Sequence, residues 1–272
     1  MTRAARPGAP AAALRGRAAL CTAHIDEDVK LELRNVSKLF GAVRALERAS
    51  FEVEPGQIVA VVGANGAGKT TLLRCLAGVA APDEGLILYD DESFVRGRLE
   101  LRQRLAFLPD FPFLFLEMNP LEHLGMVLRV YGADGAAQTE RALGLLRDFD
   151  LLPLVRRPMQ LLSRGQIYKT ALVAVLAADP ELWLLDEPFA SGMDPHGIDA
   201  LKRHAREAAA RGRTIVYSTQ ILDIAERFAD RICILHRAEV RSFGTLADLR
   251  AQSHDTARSL EEIFRQLRSE TP

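Results

Sequence analysis

The chain carries, at positions 63–70, the run Gly63-Ala64-Asn65-Gly66-Ala67-Gly68-Lys69-Thr70. This run fits the pattern G-x-x-x-x-G-K-[ST], the phosphate-binding loop or P-loop. An apolar segment, 57–62, precedes it and is typical of a buried strand, whereas residues 71–76 are typical of the first turns of a helix. Because a phosphate cradle requires strand, glycine loop and helix in this order, the flanks favour a P-loop over a glycine-rich turn that matches by chance.

The residue types in this loop predict contacts to a nucleotide. Gly63, Gly66 and Gly68 are expected to adopt positive φ and to keep Cβ atoms away from the ligand. Backbone N–H groups and the helix dipole then attract phosphate oxygens. Lys69 is expected to contact the β and γ phosphates, and the Thr70 hydroxyl to ligate Mg²⁺. The predicted nucleotide-binding residues of this segment are Gly63, Asn65, Gly66, Ala67, Gly68, Lys69, Thr70 and Thr71.

Composition limits the class of protein. The 272 residues are 48% hydrophobic and carry a net charge of −1, which permits a sizeable core and gives no general attraction to nucleic acid. Cys21, Cys75 and Cys233 lack metal-ligand spacing, and the last two lie in apolar runs, so we expect them to be buried thiols. No apolar run reaches the ~18 residues that a membrane span requires. Any membrane part of the system is therefore expected on another chain.

Three regions are expected along the chain. Residues 1–28 are rich in Ala and Arg and are predicted to form a disordered extension, with a start codon assigned too early or a transit peptide of similar composition as the alternatives. Residues 29–245 are predicted to form the main domain, with a helical insertion at about 111–178. Residues 246–272 are predicted to form a helical tail.

The periodicity predicts an α/β fold with a parallel-sheet core, an antiparallel β layer and a helical insertion subdomain, and the phosphate-binding motif makes the expected core that of a P-loop NTPase. Residues 31–36 are predicted to form an edge strand, and 82–85 to form a turn. Asn119 and Pro120 predict the N-cap and first residue of a helix. Further strands are expected at 49–53, 86–89, 105–108, 182–185, 214–218 and 232–235. Further helices are expected at 136–149, 164–178 and 259–268.

A second acidic motif ends one of these strands. The segment 181–188 reads Glu-Leu-Trp-Leu-Leu-Asp-Glu-Pro, and an unpaired charge at the edge of a core is costly. Asp186 is therefore predicted to hold Mg²⁺, and Glu187 to orient or deprotonate the attacking water. The alternative is a strand that ends in two solvent-exposed acids.

With both motifs present, the chain resembles the ATP-binding subunits of ABC transporters over about residues 29–270. Their signature sequence is present as Leu162-Ser163-Arg164-Gly165-Gln166. Ser163 and Gln166 also predict a capping box that opens a helix. The resemblance implies that Ser163, Arg164, Gly165 and Gln166 face the γ-phosphate of ATP bound to a second subunit.

The same resemblance implies further contacts and partners. Asp194, in the run 191–195, matches a loop that crosses the subunit interface, and Phe40 matches an aromatic that stacks on adenine, with a core phenylalanine as the alternative. The implied assembly holds two ATP molecules and Mg²⁺ between two such subunits, identical or different. It also implies a separate transmembrane permease, which would hold this chain at the cytoplasmic face of the membrane. The tail resembles those of exporter systems.

Two positions depart from the family pattern. Asp110 follows Leu-Pro where a glutamine is usual; it can still approach the metal and the attacking water, but it adds negative charge near the γ-phosphate. Gln220 stands where a histidine is usual, and an amide carries neither a proton nor a positive charge near neutral pH. We expect slower hydrolysis as a result, with adequate substitution by Gln220 as the alternative.

Two features leave alternatives open. Phe111, Phe113 and Phe115 predict a hydrophobic surface that receives the permease, or else ordinary packing of the insertion. For the whole protein, a soluble ABC ATPase acting on DNA or ribosomes is opposed by the single P-loop and by the lack of a heptad insertion. A regulatory module that binds ATP and hydrolyses almost none is left open by Asp110 and Gln220.

Overall fold

A mixed sheet of ten strands organises the part of the chain that the computed structural model describes, residues 29–95, 97–252 and 259–269. The strand order is β5-β4-β1-β2-β10-β9-β3-β8-β7-β6. The predicted extension 1–28 lies outside the described residues. The strands are β1 (Leu31–Phe40), β2 (Val43–Val53), β3 (Ile58–Val62), β4 (Glu84–Tyr89), β5 (Glu92–Ser93), β6 (Leu105–Leu108), β7 (Leu182–Leu185), β8 (Thr214–Thr219), β9 (Arg231–His236) and β10 (Glu239–Gly244).

The parallel half of the sheet forms the buried centre. β6, β7, β8, β3 and β9 pair in parallel in that order. Every residue of β3, β7 and β8 is buried, as expected where helices cover both faces of a parallel sheet. The predicted α/β class with a parallel core and an antiparallel layer is confirmed.

The antiparallel layer corrects two predictions. β1 is not an edge strand, because it pairs with β2 on one side and β4 on the other. Its alternation is imperfect because the register shifts between Leu33 and Val36, where Asn35 adopts a φ of 50°. The predicted turn 82–85 is also shorter, since Glu84 and Gly85 already belong to β4.

Nine α-helices pack around the sheet in the described residues. Asn119 caps α3 through a reciprocal hydrogen bond with Glu122, which confirms the predicted start at Pro120. α5 is buried over 168–177, so it forms the centre of the helical insertion. The helices are α1 (Lys69–Leu76), α2 (Leu99–Gln103), α3 (Pro120–Val130), α4 (Ala136–Asp148), α5 (Arg164–Ala178), α6 (Pro195–Ala210), α7 (Leu222–Phe228), α8 (Leu246–Gln252) and α9 (Leu260–Ser269), with 3-10 turns at Leu152–Leu154 and Met159–Leu161.

The tail returns to the main body of the protein. Leu260 and Ile263 of α9 are buried in the same hydrophobic cluster as the parallel strands, and the Leu260 N–H donates to Glu226 on α7 (3.1 Å).

Cys75 and Cys233 are buried free thiols, as predicted. Within the described ranges, no helix is long and apolar enough to span a bilayer.

Candidate active site

The carboxyl ends of four neighbouring parallel strands meet at one edge of the sheet. Val62 of β3 pairs with Thr219 of β8, and Leu185 of β7 pairs with both Tyr217 of β8 and Leu108 of β6. The residues that follow these strand ends are Gly63, Gln220, Asp186 with Glu187, and Asp110. Ligands of open α/β sheets bind at such an edge, so the topology brings the predicted motifs together.

The loop before α1 requires its glycines for two different reasons. Gly66 and Gly68 adopt positive φ, 78° and 109°, as predicted. Gly63 does not; a Cβ there would instead lie 2.5 Å from the Leu235 carbonyl oxygen, so close backbone approach requires this glycine. The Ala67 N–H donates to the Ala64 carbonyl (3.1 Å) and turns the loop. The predicted contacts of Asn65, Ala67 and Thr71 with phosphate stay predictions.

Lys69 is held at the centre of the loop. Its side chain is buried, and Nζ donates to the carbonyl oxygens of Gly63 (3.0 Å) and Ala64 (3.3 Å). Nζ also lies 3.2 Å from Glu187 Oε1, an ion pair between two largely buried groups. The predicted phosphate ligand and the predicted base are therefore paired with each other.

Asp186 is the other centre of polar contacts. The residue is buried, and Oδ1 accepts hydrogen bonds from the hydroxyls of Thr70 (3.1 Å) and Ser218 (2.6 Å). Ser218 Oγ in turn accepts from the Glu187 N–H (2.9 Å). Sequence reasoning did not assign Ser218 a role, although its place near the end of a buried strand could have indicated one.

Glu187 has an unusual backbone and an unmatched oxygen. Its φ is 48°, the left-handed region that a non-glycine residue adopts at a cost of about 1–3 kcal/mol. Oε2 is buried and has no hydrogen-bond partner in the described part of the chain. A buried acceptor of this kind is suited to receive a proton donor such as water.

The signature segment opens α5 as predicted. Ser163 Oγ accepts from the Gln166 N–H, and Gln166 Oε1 accepts from the Ser163 N–H. Gly165 packs against backbone, since a Cβ there would lie 2.4 Å from the Gly192 carbonyl oxygen. The loop 191–195 therefore lies directly on the signature segment.

Asp110 and Arg164 form an ion pair in the same chain. Arg164 Nη2 lies 3.2 Å from Asp110 Oδ1, and the guanidinium lies 4.0 Å from the centre of the Phe111 ring. The structure therefore joins Asp110 to the signature segment. Its predicted contacts with Mg²⁺ and water stay predictions.

Asp194 is engaged within its own chain. It caps α6 by accepting from the Gly197 N–H (2.7 Å), and Oδ2 lies 2.5 Å from Nζ of the buried Lys169. The pKa of Asp194 is held below its usual range, first by the hydrogen bond from Lys169 and next by the hydrogen bond from the Gly197 N–H. Its predicted role in nucleotide binding across an interface stays a prediction.

The remaining predicted residues are both accessible. Phe40, at the end of β1, is half-exposed and is therefore not a core phenylalanine. Gln220 is exposed and lines a cavity of about 750 Å³ together with residues of α7 and the tail helix α9, namely Ile221, Leu222, Asp223, Glu261, Phe264 and Arg265.

The polar groups suit a hard cation bound together with phosphate. Among the described residues, no cluster of three or more His, Cys, Asp or Glu side chains could hold a metal by itself. Mg²⁺ commonly takes one or two protein oxygens, with water and substrate phosphates as its other ligands. The carboxylate of Asp186 and the hydroxyl of Thr70 fit that limited donor set.

Comparisons with known proteins agree with this geometry. A family model described as ABC transporter matches residues 46–190. The chain is 34% identical to the ABC-type transporter ATP-binding protein EcsA of Bacillus subtilis, over 83% of this chain and 91% of the relative. A solved structure described as the ATP binding subunit of an ABC transporter shares 35% identity and a TM-score of 0.83, over 88% of this chain and 99% of that one.

Two further relatives are longer than this chain. The Nod factor export ATP-binding protein I of Sinorhizobium fredii is 36% identical, over 76% of this chain and 60% of its own length. The sulfate/thiosulfate import ATP-binding protein CysA 2 of Rhizobium meliloti is 33% identical, over 80% of this chain and 60% of its own length.

Proposed function

Since this chain belongs to the ABC transporter family, as an ATP-binding subunit with ATPase activity, we propose that it drives export through a separate transmembrane permease. The single observation that carries the catalytic part is the pairing of the P-loop with the acidic end of β7. Thr70 meets Asp186, and Lys69 meets Glu187. These four residues supply a phosphate ligand, two oxygen ligands for a metal and a base within one compact site.

Thr70 and Asp186 would hold Mg²⁺ together with the β and γ phosphates. When bound, the ion supplies positive charge that stabilises the transferred phosphoryl group. Ser218 donates to Asp186 at 2.6 Å and so fixes the carboxylate in place. This support is of the kind that orients metal ligands in other sites.

Glu187 would orient and deprotonate the attacking water. Its Oε2 is buried and free to accept a hydrogen bond, while its backbone N–H is fixed by Ser218. Once phosphate competes for Lys69, the carboxylate of Glu187 loses its cationic partner. The base then becomes available at the moment when nucleotide is bound.

A second ABC ATPase subunit, identical or different, would complete each site. The signature segment presents the N-terminus of α5, where the side chains of Ser163 and Gln166 are exposed or partly exposed and that of Arg164 is paired with Asp110. Helix N-termini bind anionic phosphate. We therefore propose that this N-terminus binds the ATP of the partner.

The segment after Asp110 would receive the permease. Phe113 is fully exposed, and Phe111 and Phe115 are 59% and 60% exposed. Exposed aromatic groups of this density are unusual in a free surface and favour a partner over ordinary packing of the insertion. Docking there would place the chain at the cytoplasmic face of the membrane, with no role in nucleic-acid binding.

The direction of transport is proposed from the tail. The tail, 244–264, resembles those of exporter systems, and one relative is named for export while another is named for import. Export predicts ATP-dependent accumulation of cargo inside inverted membrane vesicles that carry the complex. Accumulation by right-side-out vesicles instead would show import.

Charge introduced at the phenylalanines tests the permease proposal. Tagged wild type, Phe113→Glu and Phe115→Glu would be purified from detergent-solubilised membranes of the source organism, and the bound proteins identified by mass spectrometry. We expect a polytopic membrane protein with the wild type and its loss from both variants, with ATP binding retained. Leu86→Glu is the matched control, since Leu86 is half-exposed on β4, at the far end of the sheet. Retention by both phenylalanine variants would show that the permease docks elsewhere.

A second candidate is a regulatory subunit that binds ATP and hydrolyses very little. The observation in its favour is Gln220, which offers no positive charge at the end of β8. It predicts a measurable affinity for ATP with turnover that histidine at this position restores.

A further inference from the structure

Asp110 brings an additional negative charge to the edge where ATP binds. The Asp186 N–H donates to the Leu108 carbonyl (2.8 Å), and Asp110 follows two residues later. A carboxylate near the triphosphate opposes binding, because like charges repel over several ångströms in a partly buried site. An uncompensated Asp110 would therefore weaken the affinity for nucleotide.

Arg164 supplies the compensating charge. Nη2 lies 3.2 Å from Asp110 Oδ1, and the guanidinium lies over the Phe111 ring at 4.0 Å from its centre. Stacking of this kind orients the planar guanidinium and limits its rotamers. The cation is thus held beside Asp110 by the residue next to Asp110 in the chain.

A second residue of α5 relates Asp110 to the metal-site carboxylate. Tyr168, one turn after Arg164, is buried. Burial raises the pKa of its hydroxyl, and the charges of Asp110 and then Asp186 raise it further. The charges of both carboxylates therefore act on one buried hydroxyl of α5.

We propose that Arg164 is a positioning residue for ATP binding and hydrolysis, because it neutralises Asp110 and holds its carboxylate away from the triphosphate. The charges of Asp110 and Arg164 then offset each other, so that neither changes the affinity for ATP while the other is present. The inference depends on ATP binding at the P-loop. It does not depend on the permease or on the direction of transport.

A cycle of four proteins tests the pairing: wild type, Arg164→Gln, Asp110→Asn and the double variant. The readouts are KM for ATP and the affinity for the fluorescent analogue trinitrophenyl-ATP, in the full-length chain at low ionic strength. Arg164→Gln should raise both KM and the dissociation constant about two- to fivefold, the upper part of the range that exposed ion pairs contribute. Asp110→Asn removes the charge that opposes the triphosphate and should lower both constants, and the double variant should return to within about twofold of wild type.

The rescue separates this role from two others. If Arg164 only stabilised the helix, or contacted nucleotide directly, the double variant would bind as weakly as Arg164→Gln, and the proposal would be wrong. An unchanged KM in Arg164→Gln would also overturn it. Arg164→Lys keeps the charge and loses the planar stacking, so its KM should lie between those of wild type and Arg164→Gln. If Arg164→Gln fails to fold, as judged by thermal unfolding, a KM for Arg164→Lys equal to that of wild type would count against the stacking.

Discussion

Lys69 Nζ lies 3.2 Å from Glu187 Oε1, so the proposed phosphate ligand and the proposed base neutralise each other in this structure. Their side chains are 6% and 14% exposed, which means that water screens the pair only weakly. If Lys69 binds phosphate as proposed, nucleotide takes it from Glu187. Binding and activation of the base are thereby linked through one ammonium group.

Glu187→Gln should separate these two effects. We expect hydrolysis to fall at least about a hundredfold, since general-base catalysis contributes roughly that factor or more. Affinity for ATP should stay equal or rise, because Lys69 no longer has a charged competitor. Steady-state phosphate release and equilibrium binding of ATP measure the two quantities. Glu207→Gln is the control, on the exposed side of α6; a weaker affinity for ATP in Glu187→Gln alone would contradict the linkage.

Gln220→His should raise turnover several-fold at saturating ATP. An imidazole can donate to the γ-phosphate and can carry positive charge, and charge stabilisation is a large part of phosphoryl transfer. If the charge is the cause, the gain should decline as pH rises above about 6.5, the ordinary pKa of histidine. Turnover measured from pH 6 to 9 tests this, with Gln220→Asn as a shorter amide. Equal turnover in the histidine variant would show that Gln220 is adequate.

Asp194→Asn should weaken the fold at neutral pH and flatten its acid dependence. The folded pKa of Asp194 is lowered, first by the hydrogen bond from Lys169. Its stabilising contribution is therefore complete above the unfolded pKa of about 3.9 and is lost as pH falls through the folded pKa. We expect a loss of about 1 kcal/mol, because the carboxylate is half-exposed and asparagine keeps the helix cap.

Urea unfolding from pH 7 to pH 3 measures this effect. Asp194→Ala removes the cap as well and should cost about 1 kcal/mol more than Asp194→Asn. If Asp194→Asn follows the pH profile of the wild type, the pair with Lys169 does not stabilise the fold.

Gly165→Ala should damage both stability and ATPase activity. The added methyl group would lie 2.4 Å from the Gly192 carbonyl oxygen, so one of two backbone segments must move. Such overpacking typically costs about 1–3 kcal/mol. Thermal unfolding and turnover are the measurements. Gly144→Ala on α4 is the control, because no atom lies within 4 Å of that methyl position; if the two variants behave alike, the contact with Gly192 is not tight.

Local signals predicted much of this site. The P-loop, the acidic end of β7 and the capping box of Ser163 and Gln166 each depend on residues close in sequence, and all three lie where their spacing indicated. Pairings between strands were harder to predict. Ser218 reaches Asp186 only because β8 lies beside β7 in the sheet.

The same limit explains the errors in the fold. β1 resembles an edge strand in its alternation, yet β4 covers its second side. β10 was not predicted, because it mixes polar and apolar residues that are mostly half-buried, and its strand partners β9 and β2 come from different parts of the chain. The pairing of Asp110 with Arg164 likewise joins β6 to a helix 54 residues later.

The left-handed backbone at Glu187 sets stability against activity at a single position. Glycine would relieve the conformational cost there, and a design score that rates only backbone conformation would favour it. Such a substitution would also remove the proposed base and the partner of Lys69, so the variant would hold ATP and never complete a cycle. Engineering that raises the thermal stability of this chain should therefore keep residue 187 fixed, because the substitution that best relaxes the local backbone also abolishes ATP hydrolysis.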